Sequence, residues 1–393
     1  MRIVHYLSSV RLAEGGVTRA VLDMCSVLAG RGHDVVLLSI YDDDVPDTWK
    51  TQAPAPNTPR SVKLPPPTGR LQRLSPEAVA LAERTLQGAD AAHIHAMWTP
   101  SNTQIAGAAR ACRVPYIVSS HGMLDDWSMA RRIWKKRLYL ALSGNAMLRG
   151  ASFVHLTADA ELEQSCKWFP EGKGRVIPLV FDLELFRDLP GPGPAHEKHP
   201  PCHTDEPKVL FLSRLYEGKG LEHVVDACAL MARRDVPFRL LIAGTGDDEF
   251  VRALNEHIDR AGIRARTHLL GAVYNRDKVS LYQACDVLVL PSIHENFGFV
   301  PPEALASRLP VVVSKGFHTW PELQRSGGAV VTDMAAEPIA DALQGLLADP
   351  ARRARMGKEG RRFVFDWLDM GGVAGRYEAM YEDARRSGGS PTP

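Results

Sequence analysis

The sequence predicts an α/β protein of two doubly wound, Rossmann-like domains that face one another across a cleft. Three observations support this. Short β-branched runs alternate with amphipathic helical patterns almost throughout the 393 residues. The strand-like runs are apolar on both faces, which suits parallel strands covered by helices. The alternation breaks once, at residues 189–207, in a stretch rich in Pro, Gly and His, and then starts again. A chain of this length is long for one core and sufficient for two.

In the first half, residues 3–7 read as a strand, 17–29 as a helix closed by Gly30 and Gly32, and 35–40 as a second strand. Further strands are expected at 92–95, 116–119 and 153–156. Residues 46–67 carry seven prolines without periodicity and are read as a surface excursion. The first domain is therefore placed at 1–188, followed by a linker at 189–207. The pattern resumes with a strand at 209–212, a helix at 221–231, a strand at 240–243 and a helix at 250–261. Strands at 268–270, 287–290, 311–313 and 329–331 complete a second domain at 208–363. A helical tail at 364–393 contains Trp367, Tyr377 and Tyr381.

Composition narrows the function. A formal net charge of +1 argues against a nucleic-acid partner. The six cysteines (Cys25, Cys112, Cys166, Cys202, Cys228, Cys285) include no CxxC pair, so they read as thiols in a reducing compartment and not as a metal site. The first residues are too short and polar-interrupted for a signal peptide, and no apolar run approaches the roughly 20 residues that span a bilayer. These features place the protein in the cytoplasm, with a peripheral membrane contact still open.

In open α/β sheets ligands lie beyond the carboxyl ends of strands, so chemistry is sought in the loops there. The most specific motif runs from Asp286-Val-Leu-Val-Leu-Pro-Ser292 into Ile293-His294-Glu295-Asn296-Phe297-Gly298-Phe299, then Pro301-Pro302-Glu303. A buried strand delivers Glu295 on a loop, and the diproline opens a helix that holds Glu303 in its first turn. Gly298 is read as allowing close backbone approach to a ligand. Two carboxylates at this spacing can accept hydrogen bonds from sugar and ribose hydroxyls.

The second motif, Phe211-Leu-Ser-Arg214-Leu-Tyr-Glu217-Gly-Lys219-Gly220, places a guanidinium at a strand end and a lysine before a helix. These are the parts of a diphosphate cradle. The order is not that of a Walker loop. Ala243-Gly244-Thr-Gly246-Asp247 is either a tight turn or part of a glycine fingerprint, and it lacks the third glycine of the dinucleotide-binding pattern. In the first half, Glu14-Gly15-Gly16 joins the first strand to the first helix, and His121 follows the strand at 116–119. Either could face a ligand or serve the turn alone. His93-Ile94-His95 is read with its two rings on opposite faces, which disfavours a shared metal. Asp42-Asp43-Asp44 is read as solvated.

Together these residues resemble the family 4 retaining glycosyltransferases of the GT-B fold, of the type that builds bacterial surface polysaccharide. The resemblance runs over nearly the whole chain, from Gly15-Gly16 through Ser213-Arg214-Leu215, Lys219-Gly220 and Ala243-Gly244-Thr245-Gly246 to Glu295 and Glu303. It implies that Arg214 and Lys219 bind the donor diphosphate and stabilise it as it leaves, and that Glu303 accepts from the ribose. It puts Glu295 and the backbone of Asn296, Phe297, Gly298 and Phe299 near the donor sugar and phosphates, with His121 near sugar or acceptor. Gly16 and Gly244 would contact the donor, and Gly271-Ala272-Val273 would face the base. The tail would form helices crossing back to the first, acceptor-side domain. One departure is Ile177-Pro178-Leu179-Val180-Phe181-Asp182, where many members have Asn-Gly after the proline.

The resemblance implies a hexosyl transfer that keeps the anomeric configuration, from a nucleotide-diphosphate sugar to a hydroxyl of a glycan or lipid-linked acceptor. No cofactor and no metal are implied, because the nucleotide sugar is itself a substrate. A nucleotide-sugar 2-epimerase and a non-catalytic sugar-nucleotide-binding protein are the alternatives; the incomplete glycine fingerprint counts against an NAD-dependent oxidoreductase. Finally, residues 127–140 set Trp127 and Trp134 beside Arg131, Arg132, Lys135, Lys136 and Arg137. This is the composition of a helix lying on an anionic membrane, or of a packing helix with a solvated basic face.

Overall fold

The computed structural model describes residues 1–51, 55–67, 69 and 72–388. Residues 52–54 of the expected excursion and 389–393 of the expected tail lie outside the described residues. The chain forms two compact units. One is Met1–Phe181 with the segment from Met370 onward, and the other is Asp182–Asp369.

The first unit holds seven strands: β1 (Arg2–Tyr6), β2 (Asp34–Ser39), β3 (Arg60–Lys63), β4 (Ala91–His95), β5 (Tyr116–Ser119), β6 (Phe153–Leu156) and β7 (Gly174–Val176). Their order is β3-β2-β1-β4-β5-β6-β7, every pair parallel. The second unit holds β8 (Lys208–Leu212), β9 (Arg239–Ala243), β10 (Thr267–Gly271), β11 (Val287–Leu290), β12 (Val311–Ser314) and β13 (Ala329–Thr332), in the order β10-β9-β8-β11-β12-β13. These too pair in parallel throughout. In each sheet the winding reverses once, between β1 and β4 and between β8 and β11, and crevices for ligands open at such points.

The central strands follow from their residue types. Val287-Leu-Val-Leu290 is buried on both faces, and each such side chain contributes about 1.5–3 kcal/mol of burial before conformational entropy is subtracted. Two edge strands depart from the expectation. β3 lies inside the Pro-rich stretch read as an excursion, and β7 was not expected. Both are three or four residues long, partly exposed and mixed in polarity, so neither carries an apolar run.

The Pro-rich stretch at 189–207 belongs to the second unit and is held by named contacts. It contains the helix Gly193–Lys198. Ser280 Oγ accepts from Ala195 N at 3.0 Å and donates to Gly191 O at 2.7 Å, while Gly191 N donates to Gln283 Oε1 at 2.7 Å. Proline and glycine there mark irregular backbone, not freedom from partners.

The helix Pro350–Trp367 stays in the second unit, where Trp367 stacks on Phe297 with ring centroids 5.6 Å apart. The last helix, Met370–Gly388, packs in the first unit. It buries Val373, Tyr377, Met380, Tyr381 and Ala384 in the core formed with Val21, Met24 and Leu28. Arg31 fixes its polar side by donating twice to the Glu378 carboxylate, at 2.6 and 2.8 Å.

One expectation in the first unit is corrected. Residues two apart on a strand point to the same face, and the rings of His93 and His95 stack with centroids 4.2 Å apart. Asp43 and Asp44 are exposed, as expected, and Asp42 is half-buried, but all three also have partners. They pair with Lys63, with Arg11 at 2.9 Å, and with the Leu12 amide at 2.7 Å, which ties down the loop leading to Gly15 and Gly16.

Candidate active site

Five loops at the carboxyl ends of β8 to β12 are joined by backbone hydrogen bonds into one rim. Gly244 N donates to Gly271 O at 2.7 Å, and Leu215 N to Thr245 O at 2.8 Å. Ile293 N donates to Gly218 O, and Glu295 N to Gly316 O, both at 2.8 Å. Sequence-distant motifs are thus neighbours because their strands are neighbours, and the loops after β8 and β11 flank the point where the winding reverses.

Two glycines are required for this closeness. Gly244 has φ +140, and a Cβ there would stand 1.8 Å from Ser213 O. At Gly298, φ is +68 and a Cβ would meet the Phe317 ring at 2.3 Å. Close packing of protein on protein is therefore a sufficient reason for Gly298, where approach to a ligand was the expectation.

Lys219 and Glu295 form an ion pair, and the lysine is nearly buried. Ser292 Oγ lies 3.4 Å from the same carboxylate oxygen. Glu217, the acidic neighbour of Lys219 in sequence, is exposed, and Lys219 pairs with Glu295 instead. Arg214 is exposed at the end of β8, with its guanidinium 5.4 Å from the Tyr216 ring centroid. Among the described residues it has no carboxylate partner, so its charge is available to an anion.

Glu303 is buried in the first turn of the helix Val300–Ala306. Its Oε1 accepts from Lys278 Nζ at 2.8 Å and its Oε2 from the Tyr282 hydroxyl at 2.7 Å. Burial, with Glu303 adding to it, pushes ionisation of the Tyr282 hydroxyl well above its ordinary range, so that hydroxyl stays a donor. Each carboxylate oxygen keeps a second lone pair for a ligand hydroxyl.

The segment 296–299 divides between roles. The Phe297 side chain is core, stacked on Trp367, and its carbonyl accepts from Thr319 Oγ1 at 2.9 Å. Asn296 Oδ1 lies 3.3 Å from His318 Nδ1, and Phe299 is the residue that immediately precedes the Glu303 helix. Val273 is half-buried in the loop after β10.

In the first unit, Gly16 opens the helix Gly16–Gly30 at the end of the β1 loop. His121 follows β5 with φ +48, a left-handed backbone that a β-substituted residue adopts only when its surroundings enforce it. The enforcing group is Glu161, wholly buried. One of its oxygens accepts from Ser120 Oγ and Gly122 N at 2.8 and 2.6 Å; the other accepts from Thr157 N and Oγ1 at 2.7 and 2.9 Å. Burial lowers the His121 imidazole to about 3, so it is neutral at pH 7.

The family described as "Glycosyl transferases group 1" matches residues 195–363, and the "Glycosyl transferase 4-like domain" matches residues 15–179. The chain is a glycosyltransferase of the GT-B, family 4 type. Among its curated relatives, a D-inositol 3-phosphate glycosyltransferase of Corynebacterium glutamicum is 29% identical over 69% of this chain and 67% of its own. A phosphatidyl-myo-inositol mannosyltransferase of Mycobacterium leprae is 27% identical over 95% and 94%. An uncharacterized glycosyltransferase of Methanocaldococcus jannaschii reaches 31% identity over 53% of this chain, and the match spans about half of that relative's length. Solved structures share the fold. Sucrose-phosphate synthase of Thermosynechococcus elongatus superposes with a TM-score of 0.75 at 21% identity, covering 98% of this chain and 99% of its own. Anabaena HepE, in complex with UDP and glucose, gives 0.74 at 19%, covering 97% and 99%.

The structure also brings to the candidate site residues that the sequence did not single out. Lys278 and Tyr282, four apart on the helix Asn275–Ala284, complete the Glu303 cluster. Their spacing on one helical face was legible, but their partner was not. Glu161 carried only the signal of an acidic residue near a helix start.

Proposed function

We propose that this glycosyltransferase moves a hexose-type sugar from a nucleotide-diphosphate sugar to a hydroxyl of a glycan or lipid-linked acceptor. The proposal includes retention of the anomeric configuration and independence from a metal ion. The observation that carries it is the rim beyond β8 and β11, where Arg214 has an uncompensated guanidinium beside the buried Lys219–Glu295 pair. Breaking the bond between the anomeric carbon and the diphosphate oxygen leaves negative charge on that oxygen, and fixed positive charge there lowers the barrier. Arg214 and Lys219 supply it, with Glu295 holding the lysine in place. The acceptor oxygen bonds to the anomeric carbon, and its proton passes to the departing phosphate oxygen, so no enzyme nucleophile is needed. Glu303 accepts from the ribose hydroxyls.

A lipid-linked acceptor is favoured by the helix Ile133–Tyr139, which has no buried residue. Trp134 and Leu138 are exposed, as is Leu142 one turn further on, and Arg131, Arg132, Lys135 and Arg137 of the same segment are exposed too. Exposed apolar side chains on a basic segment suit the cytoplasmic face of an anionic membrane. Among the described residues no helix is long and apolar enough to cross one. The names of the inositol phosphate and phosphatidylinositol relatives agree with an acceptor that bears phosphate.

The test is a panel of UDP-, GDP- and ADP-sugars, read first by thermal shift and then by product formation with EDTA present. Donor binding raises Tm by mass action. Transfer or slow hydrolysis in EDTA supports the proposal. Activity lost with EDTA and restored by Mg²⁺ or Mn²⁺ contradicts the metal-independent part, and an isomerised sugar with no transfer contradicts the whole.

A further inference from the structure

The helix Pro350–Trp367 carries Lys358, Arg361, Arg362 and Phe365 at i, i+3, i+4 and i+7, so the four share one face. That face lines an open cavity of about 420 Å³ together with Arg187 and Arg308, all six within the second unit. Five of the six lining residues are cations and none is a carboxylate. Soluble surfaces ordinarily intersperse the two signs, because like charges held together repel. Little around the cavity compensates this charge. Arg187 pairs with Glu184 at 2.7 Å, but both side chains are largely exposed, so water screens the pair. Arg361 donates to the carbonyls of Phe186 at 2.8 Å and Arg187 at 3.0 Å, and also to that of Ala306. Carbonyls satisfy its N–H groups without cancelling its charge. Burial, and after it the Arg308 guanidinium, lowers the proton affinity of Arg361 from its ordinary value, although an arginine stays charged. Arg308, Lys358 and Arg362 are exposed, and their side chains have no partner among the described residues.

Arg308 is fixed beside the helix face by its backbone. After the helix Val300–Ala306 it takes φ +67, the left-handed turn in which glycine is the usual residue. Arg308 N donates to Leu305 O and Leu309 N to Ala304 O, both at 2.9 Å, which closes the turn. A Cβ on Gly357 would stand 2.1 Å from Arg308 O, so the helix Pro350–Trp367 packs directly on this turn. Arg308 leads into β12 at its amino end, whereas the rim lies at the carboxyl ends, so the cavity is separate from the candidate donor site.

We propose that this cavity binds a small anion with two or three linked phosphate groups, held by Arg187, Arg308, Lys358 and Arg362, with Arg361 adding charge. One phosphate group brings only about −1.5 to −2 at pH 7, less than the cations that lack a counter-charge. Phe365, the one apolar side chain of the lining, has the guanidiniums of Arg361 and Arg187 at 4.5 and 6.0 Å from its ring centroid. Its ring is engaged by cations and not offered to a nucleobase, and no other apolar group is present to hold an acyl chain. The bound anion would tie the opening segment of the second unit, at Arg187, to its last helix, so binding should stabilise the unit. This site does not rest on the transferase reading.

The test is thermal shift and isothermal calorimetry of the full chain with tripolyphosphate, pyrophosphate, ATP and sulfate, at equal ionic strength and without divalent cations. Tripolyphosphate should raise Tm, bind at least roughly tenfold more tightly than sulfate, and weaken as NaCl is added. Arg308→Gly removes a guanidinium and relieves the left-handed backbone, so the variant should fold with Tm near wild type. Combined with Arg362→Gln, it should weaken tripolyphosphate roughly tenfold or more, as for the loss of charge-assisted contacts. Arg214→Ala, in the candidate donor site, should leave that affinity within about twofold of wild type. The reverse pattern, with binding lost in Arg214→Ala and kept in the double variant, overturns the proposal, as does tripolyphosphate binding no tighter than sulfate. ATP should bind no more tightly than tripolyphosphate; a roughly tenfold gain from the nucleoside overturns the assignment to a free polyphosphate.

Discussion

Replacing Glu303 tests the donor site, provided that its structural load is removed first. In the Gln variant, the amide oxygen can still accept from the Tyr282 hydroxyl, but the amide NH₂ then faces the Lys278 ammonium across the present 2.8 Å contact. Two donors oppose each other, and a mostly buried cation loses its counter-charge. Removing one partner of a buried pair costs about 3–5 kcal/mol, and the lower end applies because the Lys278 side chain keeps 21% exposure. Glu303→Gln alone should therefore be destabilised by about 3 kcal/mol, and its activity would be hard to interpret.

The pair Glu303→Gln with Lys278→Met removes the opposed donor and should recover most of that stability. What remains is the change from a charged to a neutral acceptor for the ribose. Hydrogen bonds to charged groups contribute about 1.5–3 kcal/mol and neutral ones about 0.5–1.5; a hydroxyl on the amide oxygen loses about 1–1.5 kcal/mol and one facing the amide NH₂ loses its acceptor, so affinity falls by about tenfold or more. Isothermal calorimetry with UDP and GDP reads this directly. A Kd weaker by tenfold to a hundredfold is expected for the nucleotide that binds. A folded double variant with Kd within about twofold of wild type would show that Glu303 does not hold the ribose.

Three further outcomes follow from named groups. His5 and His121 are lowered to about 3 and His155 to about 4, all by burial, so the unfolded chain binds more protons below pH 6.5. Tm should be flat above about pH 7 and fall as pH drops from 6.5 toward 4. Glu378, lowered to about 2 chiefly by Arg31, adds stability above 4.5 that is lost only as pH falls below it; a Tm that rises on acidification to pH 5 would contradict the neutral, buried state of these histidines. NMR of the freshly formed linkage should show the donor's anomeric configuration kept, and an inverted product rules out the proposed chemistry. Liposome co-sedimentation should require anionic lipid, weaken with salt, and drop when Lys135 and Arg137 become Gln; equal recovery in the supernatant with and without anionic liposomes leaves a soluble acceptor.

The central strands and the rim motifs were legible because each is local. Val287–Leu290 announces a buried parallel strand by composition alone, and Arg214, Lys219, Glu295 and Glu303 sit in short motifs tied to strand ends. The missing parts depend on partners distant in sequence. β3 and β7 are edge strands whose only strong signal is the neighbour they pair with. Lys278 and Tyr282 matter because their helix delivers them to Glu303, and nothing near them in sequence says so. The His93–Ile94–His95 run shows a different failure, because the period of two, applied correctly, places both rings on one face. Even so, the hydrogen bonds of His93 with Tyr381 and of Ser119 with His155 required the fold.

The central claim is that Arg214 meets charge that grows on the diphosphate as the glycosidic bond breaks. Its direct test is the initial rate of sugar transfer by Arg214→Ala against wild type, at saturating and limiting nucleotide sugar. Arg214 is exposed and has no ion pair to disrupt among the described residues, so the variant should fold normally. Losing one preorganised group of this kind costs roughly 10²–10³ in kcat, and KM should change by far less, since the interaction strengthens only in the transition state. A kcat within about twofold of wild type in the folded variant would contradict the account.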